Sequence, residues 1–152
     1  MTRKMKGGKN KMKQEIFKVM SLQHEFIESL LDDFEESSDM NLPNSKEALN
    51  LFVWNLEKHI FLEEKILYSI YSIWEGNIQG MFEILGDHGD IMIFINKIKK
   101  SDFGKADISS LKELLESHFA LEETILYPNL EKVLNVEQKK LILQRAQEII
   151  RG

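Results

Sequence analysis

The sequence predicts an all-α protein: an antiparallel up-and-down four-helix bundle with a short C-terminal fifth helix. Apolar residues recur at helical spacings of 3 and 4 along most of the chain, and no stretch holds the period of 2 that marks a strand. Turn-rich breaks leave loops of roughly 5 to 12 residues between the helical stretches, short enough to favour neighbours that reverse direction.

The first helix is expected from about Met12 to Glu36, ending in EESSDMNLPNSK. Residues 1–12 read as a basic, disordered leader in which Met5 and Met12 are alternative starts, and residues 13–152 read as one domain. The second helix starts near Asn44, where Asn44 and Glu47 have the spacing of a capping box, and runs to about Trp74, with EGNIQG breaking it. The third covers roughly Gly80 to Lys99, followed by the loop KSDFGKADIS. The fourth opens with a second capping-box pattern, Ser110 and Glu113, and meets Pro128, which is expected to kink or end it. The fifth is expected from about Val136 to Ile150.

Composition limits the function classes. The chain has 152 residues, 43% of them hydrophobic and 30% charged, enough for one domain with a sizeable core. No cysteine is present, which removes disulfides, thiolate metal sites, Fe–S clusters and cysteine nucleophiles. Arg3, Lys4, Lys6, Lys9, Lys11 and Lys13 sit in the first 14 residues, which hold no acid, so the rest of the chain is more acidic than the net charge of −5. Such a body argues against nucleic acid as a partner. Neither a membrane span nor a secretory h-region is legible, and the expected location is the cytoplasm.

The four histidines carry the chemistry. Each falls on the apolar stripe of a different helix: His24 among Phe17, Met20, Ile27 and Leu31; His59 among Phe52, Leu56, Ile66 and Ile70; His88 among Met81, Ile84 or Leu85, Ile91 and Ile95; His118 among Leu111, Leu115 and Ile125. A stripe takes two or three of every seven positions, so four of four landing there by chance is on the order of 1%. Glu63 and Glu122 lie on the same stripes, and a carboxylate in an apolar core costs several kcal/mol unless paired or coordinated. At about 100° per residue, His-x-x-x-Glu leaves its two side chains roughly 40° apart, one turn displaced and aimed at one spot. Glu64 and Glu123 are rotated about 100° toward the flank, which reads as solvated or supporting. The same rotation sets Tyr68 and Tyr127 on the far face, as packing residues. Imidazole with carboxylate suits Fe, Zn, Mn or Ni. Four imidazoles and two carboxylates exceed one tetrahedral zinc and fit two six-coordinate ions bridged by the glutamates.

The doubled segments HIFLEEKILY and HFALEETILYP, with LQHEFI and GDHGDI, give the ordered set His, His-x-x-x-Glu, His, His-x-x-x-Glu over about Lys13 to Leu134. In this the chain resembles the hemerythrin-like (HHE cation-binding) domain family. The resemblance implies two non-haem iron ions, oxo- or hydroxo-bridged, with His24, His59, His88 and His118 as terminal ligands and Glu63 and Glu122 as bridges. It implies O2, NO or peroxide as the small-molecule partner. Two departures from oxygen-carrying hemerythrins stand out: Ile84 replaces their fifth His, and Glu122 at plus four replaces their Asp at plus five. The expected function is binding or sensing at this di-iron pair rather than turnover. The alternatives are a di-iron enzyme of oxidative or nitrosative stress, peroxidase-like or NO-reducing, and iron storage or sensing.

Overall fold

A computed structural model describes residues 2–69, 81–101 and 104–151, with side chains from residue 15 onward and, after the first gap, from residue 83. The chain is an all-α bundle. Its elements are α1 (Thr2–Asp39), α2 (Ser45–Phe61), a π-helical turn π1 (Leu62–Leu67), α3 (Met81–Lys100), α4 (Lys105–Leu121), a second π-helical turn π2 (Glu122–Leu126), α5 (Tyr127–Val133) and α6 (Val136–Arg151). Among the described residues no helix is long and apolar enough to cross a membrane. The expected break at EGNIQG, with Trp74, Ile70 and the Met81 side chain, lies outside the described residues.

Two apolar clusters sandwich a polar layer. One gathers Ile27, Leu31, Phe52, Leu56, Ile91, Ile95, Leu111 and Leu115. The other gathers Met20, Leu62, Leu67, Ile84, Leu126 and Leu130, and it is capped by Ile142 and Ala146 of α6. Each histidine falls between the two, as Met20–His24–Ile27 does in α1 and Leu56–His59–Leu62 across α2 and π1. Walking along the chain, α1 goes from the second cluster to the first, α2 returns, α3 goes out and α4 returns.

Several local expectations are corrected. Asn44 is the N-cap residue of α2, but its side chain makes no capping bond. Helix α4 begins at Lys105, so Ser110 lies inside it; its start is set by Gly104 and by Asp107, an acid in the first turn that the helix dipole favours. The reciprocal box that does form is Asn135 with Gln138: each side chain accepts the other's backbone N–H at 2.9 Å. Pro128 does not end the helix. It follows π2 at the first turn of α5, where its lack of an N–H is tolerated. Helix α1 reaches back to Thr2, past the expected start near Met12. Lys, Arg and Met are good helix formers, whereas Gly7 and Gly8 are its weakest links.

Where α1 meets the rest of the bundle, Glu131 clamps it. Its Oε1 accepts the backbone N–H groups of Ile16 at 3.1 Å and Phe17 at 3.2 Å. Its Oε2 lies 3.2 Å from Lys139 Nζ, an ion pair without good hydrogen-bond alignment. One buried carboxylate thereby joins α1, α5 and α6.

Candidate metal centre

The π turns set the geometry of the polar layer. A π turn holds one residue more than an α turn, so everything after it lags by about 100°. Both fall at the same place in the doubled segment and close by the same five-residue bond, Tyr68 N–H to Glu63 C=O and Tyr127 N–H to Glu122 C=O. The core register moves accordingly: Leu67 and Leu126 are fully buried where the α-helical pattern had Ile66 and Ile125.

The lag also corrects the reading of the tyrosines. From His59 to Tyr68, or His118 to Tyr127, an unbroken α-helix turns to about 180°, whereas one extra residue in the turn leaves about 80°. Both phenols face the polar layer. Tyr127 Oη donates to Glu63 Oε2 at 2.7 Å and lies 3.2 Å from Glu122 Oε1 and 3.1 Å from His24 Nε2. Tyr68 Oη donates to Glu122 Oε2 at 3.4 Å. Each tyrosine thus reaches the glutamate of the other half.

All six sequence-predicted residues, His24, His59, Glu63, His88, His118 and Glu122, are buried and converge. Their donor atoms form two sets, His24–His59–Glu63–Glu122 and Glu63–His88–His118–Glu122, each within 4.8 Å. Glu63 and Glu122 belong to both. Glu63 Oε1 lies 3.4 Å from His59 Nε2 and 3.3 Å from His88 Nε2. Glu122 divides its oxygens, Oε1 at 3.0 Å from His24 Nε2 and Oε2 at 3.4 Å from His118 Nε2.

Every imidazole turns its other nitrogen outward to an acceptor. His24 Nδ1 meets Glu123 Oε2 at 2.7 Å, His88 Nδ1 meets Glu64 Oε2 at 2.7 Å, His118 Nδ1 meets Asp87 Oδ2 at 3.1 Å and His59 Nδ1 meets Gln23 Oε1 at 2.9 Å. These partners assign the proton to Nδ1 and leave each Nε2 lone pair facing inward. Phe119 stacks on the His24 ring at 3.8 Å between centroids, which fixes its plane. Glu64 and Glu123 are therefore supports on the outer nitrogens. Gln23 and Asp87 are supports that sequence reasoning missed. Asp87 carried a signal, since it immediately precedes His88 in GDHGDI; Gln23 shows nothing distinctive in the sequence.

The electrostatics describe a cluster short of positive charge. Burial pushes His59 down to about 4 and lowers His88 as well. His118 is raised: burial works against its charge, but Glu122 and Asp87 outweigh it. Burial and the adjacent Glu122 hold the Glu63 carboxyl well above its ordinary range. Burial opposes the Glu122 charge too, yet the adjacent Glu63 carboxyl and the three imidazoles around it outweigh burial and hold that group well below its ordinary range. The two acids share a proton, as crowded carboxyls do. Both phenols are raised by burial and by the carboxylates, so they stay protonated.

Inward-facing acceptors outnumber protons. Glu63 Oε1 and His88 Nε2 are buried without a hydrogen-bond partner, and His24 Nε2 stands 3.1 Å from His59 Nε2, lone pair toward lone pair. Orphaned buried acceptors are costly, and a cation at each donor set would satisfy them. The residues fit a metal.

The model of the hemerythrin HHE cation-binding domain matches residues 15–130, the span that holds all six inner residues and all four supports. The chain belongs to the hemerythrin HHE cation-binding domain family. No curated protein sequence and no solved structure matches it. Within this hemerythrin-like chain, Ile84, at the expected place of a fifth histidine, is fully buried in the apolar cluster with Leu62, Leu67 and Leu126. The additional polar atoms at the cluster are Tyr127 Oη and Tyr68 Oη.

Proposed function

We propose that this hemerythrin-like chain is a non-haem di-iron protein that binds or senses O2, NO or peroxide, with His24, His59, Glu63 and Glu122 holding one ion and Glu63, His88, His118 and Glu122 the other. The sharing of Glu63 and Glu122 between two donor sets carries this reading, because shared carboxylates are what a two-ion site requires. Six imidazole and carboxylate ligands exceed a closed tetrahedral zinc site and suit iron. Bound there, the ions supply redox chemistry and coordination positions open to a small ligand.

The chain's own groups do the rest. The outer carboxylates and Gln23 hold each imidazole in the tautomer that presents Nε2. The two apolar clusters exclude water from above and below the layer. Tyr127 keeps a proton at Oη, 2.7 Å from Glu63, and Tyr68 keeps one near Glu122. That proton supply favours a second reading, a di-iron enzyme of oxidative or nitrosative stress, since reduction of peroxide or NO consumes protons. Stopped-flow optical spectra of the iron-loaded protein with O2, NO and H2O2 decide between them. Stable adducts support binding or sensing, and repeated consumption of ligand supports the enzyme.

A further inference from the structure

We propose that the cleft between α2 and α3 is the way in for the metal, a hydrated divalent cation, and that Glu64 is its gate; this rests on the metal-binding reading above. The polar layer is closed off by an apolar cluster at either end, and all six inner residues are buried, so a cation needs a lateral route. A cleft of about 430 Å³ opens between the two helices, lined by Glu57, Phe61, Glu64, Leu85, His88 and Gly89. His88 lines both spaces: it borders the cleft and its Nε2 lies 3.3 Å from Glu63 Oε1.

Three further observations favour this route. The first is the tether on Glu64. In the other half of the bundle the equivalent Glu123 holds His24 and is itself held by Ser21 Oγ at 3.0 Å. Glu64 makes the matching bond to His88 at 2.7 Å, and no equivalent of Ser21 holds it among the described residues. Breaking that single bond releases the His88 ring to turn, and remaking it locks the ring.

The second is the pair of glycines around His88. A Cβ built on Gly86 or Gly89 meets nothing within 4 Å, so neither is glycine for lack of room. Glycine weakens a helix, and what Gly89, which lines the cleft, provides is an open wall beside His88.

The third is charge. Glu57 and Glu64 give the cleft an acidic mouth against the one cation Lys65, which draws cations inward. An apolar pocket of about 410 Å³ on the other flank of α2, between α1, α2 and α6, comes close to the layer at Gln23, but its charged lining is Lys58 and Arg151. Those two repel a cation.

The test uses metal-free full-length protein mixed with Co(II) alone in a stopped-flow instrument, with uptake followed by visible absorption. Gly89→Leu should fill the cleft without disturbing the helix and slow uptake at least about tenfold, with the final number of bound ions unchanged. Phe61→Ala, which widens the mouth, should speed it. Leu22→Trp, which fills the pocket between α1, α2 and α6, should leave the rate at the wild-type value. Wild-type rates in both Gly89→Leu and Phe61→Ala, or slowing in Leu22→Trp as large as in Gly89→Leu, overturn the route while leaving metal binding intact. If wild-type protein takes up no Co(II) at all, the metal reading falls and the route with it.

Discussion

Tyr127 Oη donates a 2.7 Å hydrogen bond to Glu63 Oε2 across the bundle core, 64 residues away in sequence. The contact depends on π2, which carries Tyr127 from the far side of its helix toward the layer. It also offers the shared carboxylate a proton donor in the metal-free state. Replacing the phenol should therefore matter most when no cation is present. Tyr127→Phe is expected to cost the metal-free protein about 1 kcal/mol, the scale of a hydrogen bond to an uncharged group, or roughly 3 °C in Tm. The loaded protein should lose less, which paired thermal melts with and without metal measure.

The inner and outer acids should separate cleanly. Glu63→Ala or Glu122→Ala removes a group common to both donor sets, so stoichiometric metal binding should fail. Glu64→Ala, Glu123→Ala or Asp87→Ala removes only the support of one imidazole, with an expected loss of roughly 10- to 100-fold in affinity. Competition against a chromogenic chelator reads both. Equal losses at all five positions would contradict the division.

Much of this was legible in the sequence. Four histidines and two glutamates on helical stripes gave the bundle and the six inner residues, because burial makes a misplaced polar residue conspicuous. What could not be read was the π turn: propensity and periodicity assume 3.6 residues per turn, and the wider turn is paid for by tertiary contacts. The reading consequently put Ile66 and Ile125 in the core instead of Leu67 and Leu126, and sent Tyr68 and Tyr127 to packing. The capping boxes failed for a related reason. Asn44 and Ser110 fit the pattern, but a pattern cannot say whether the helix begins there, whereas Asn135 with Gln138 does cap.

The Glu131 clamp gives a stability prediction. Glu131→Ala strands a buried Lys139 ammonium and two backbone N–H groups, an expected loss of about 3–5 kcal/mol. Lys139→Met should cost less, because Glu131 keeps its two N–H partners. Urea unfolding of both variants in the same metal state gives the comparison.

Gly86 should be replaceable at a profit in stability. A methyl there meets no neighbour, so Gly86→Ala should stabilise the helix by roughly 0.5–1 kcal/mol. The denaturant midpoint should rise with the slope unchanged. A fall would mean that the backbone at Gly86 is doing something its surroundings do not reveal.

The central claim is that one chain holds two iron ions between shared glutamates. It is tested by elemental analysis of protein loaded anaerobically with ferrous iron and freed of excess metal, wild type beside Glu63→Ala. The account predicts two irons per wild-type chain and a loss of both ions, rather than one, in the variant. One metal per wild-type chain, or zinc retained in place of iron after that loading, would contradict it.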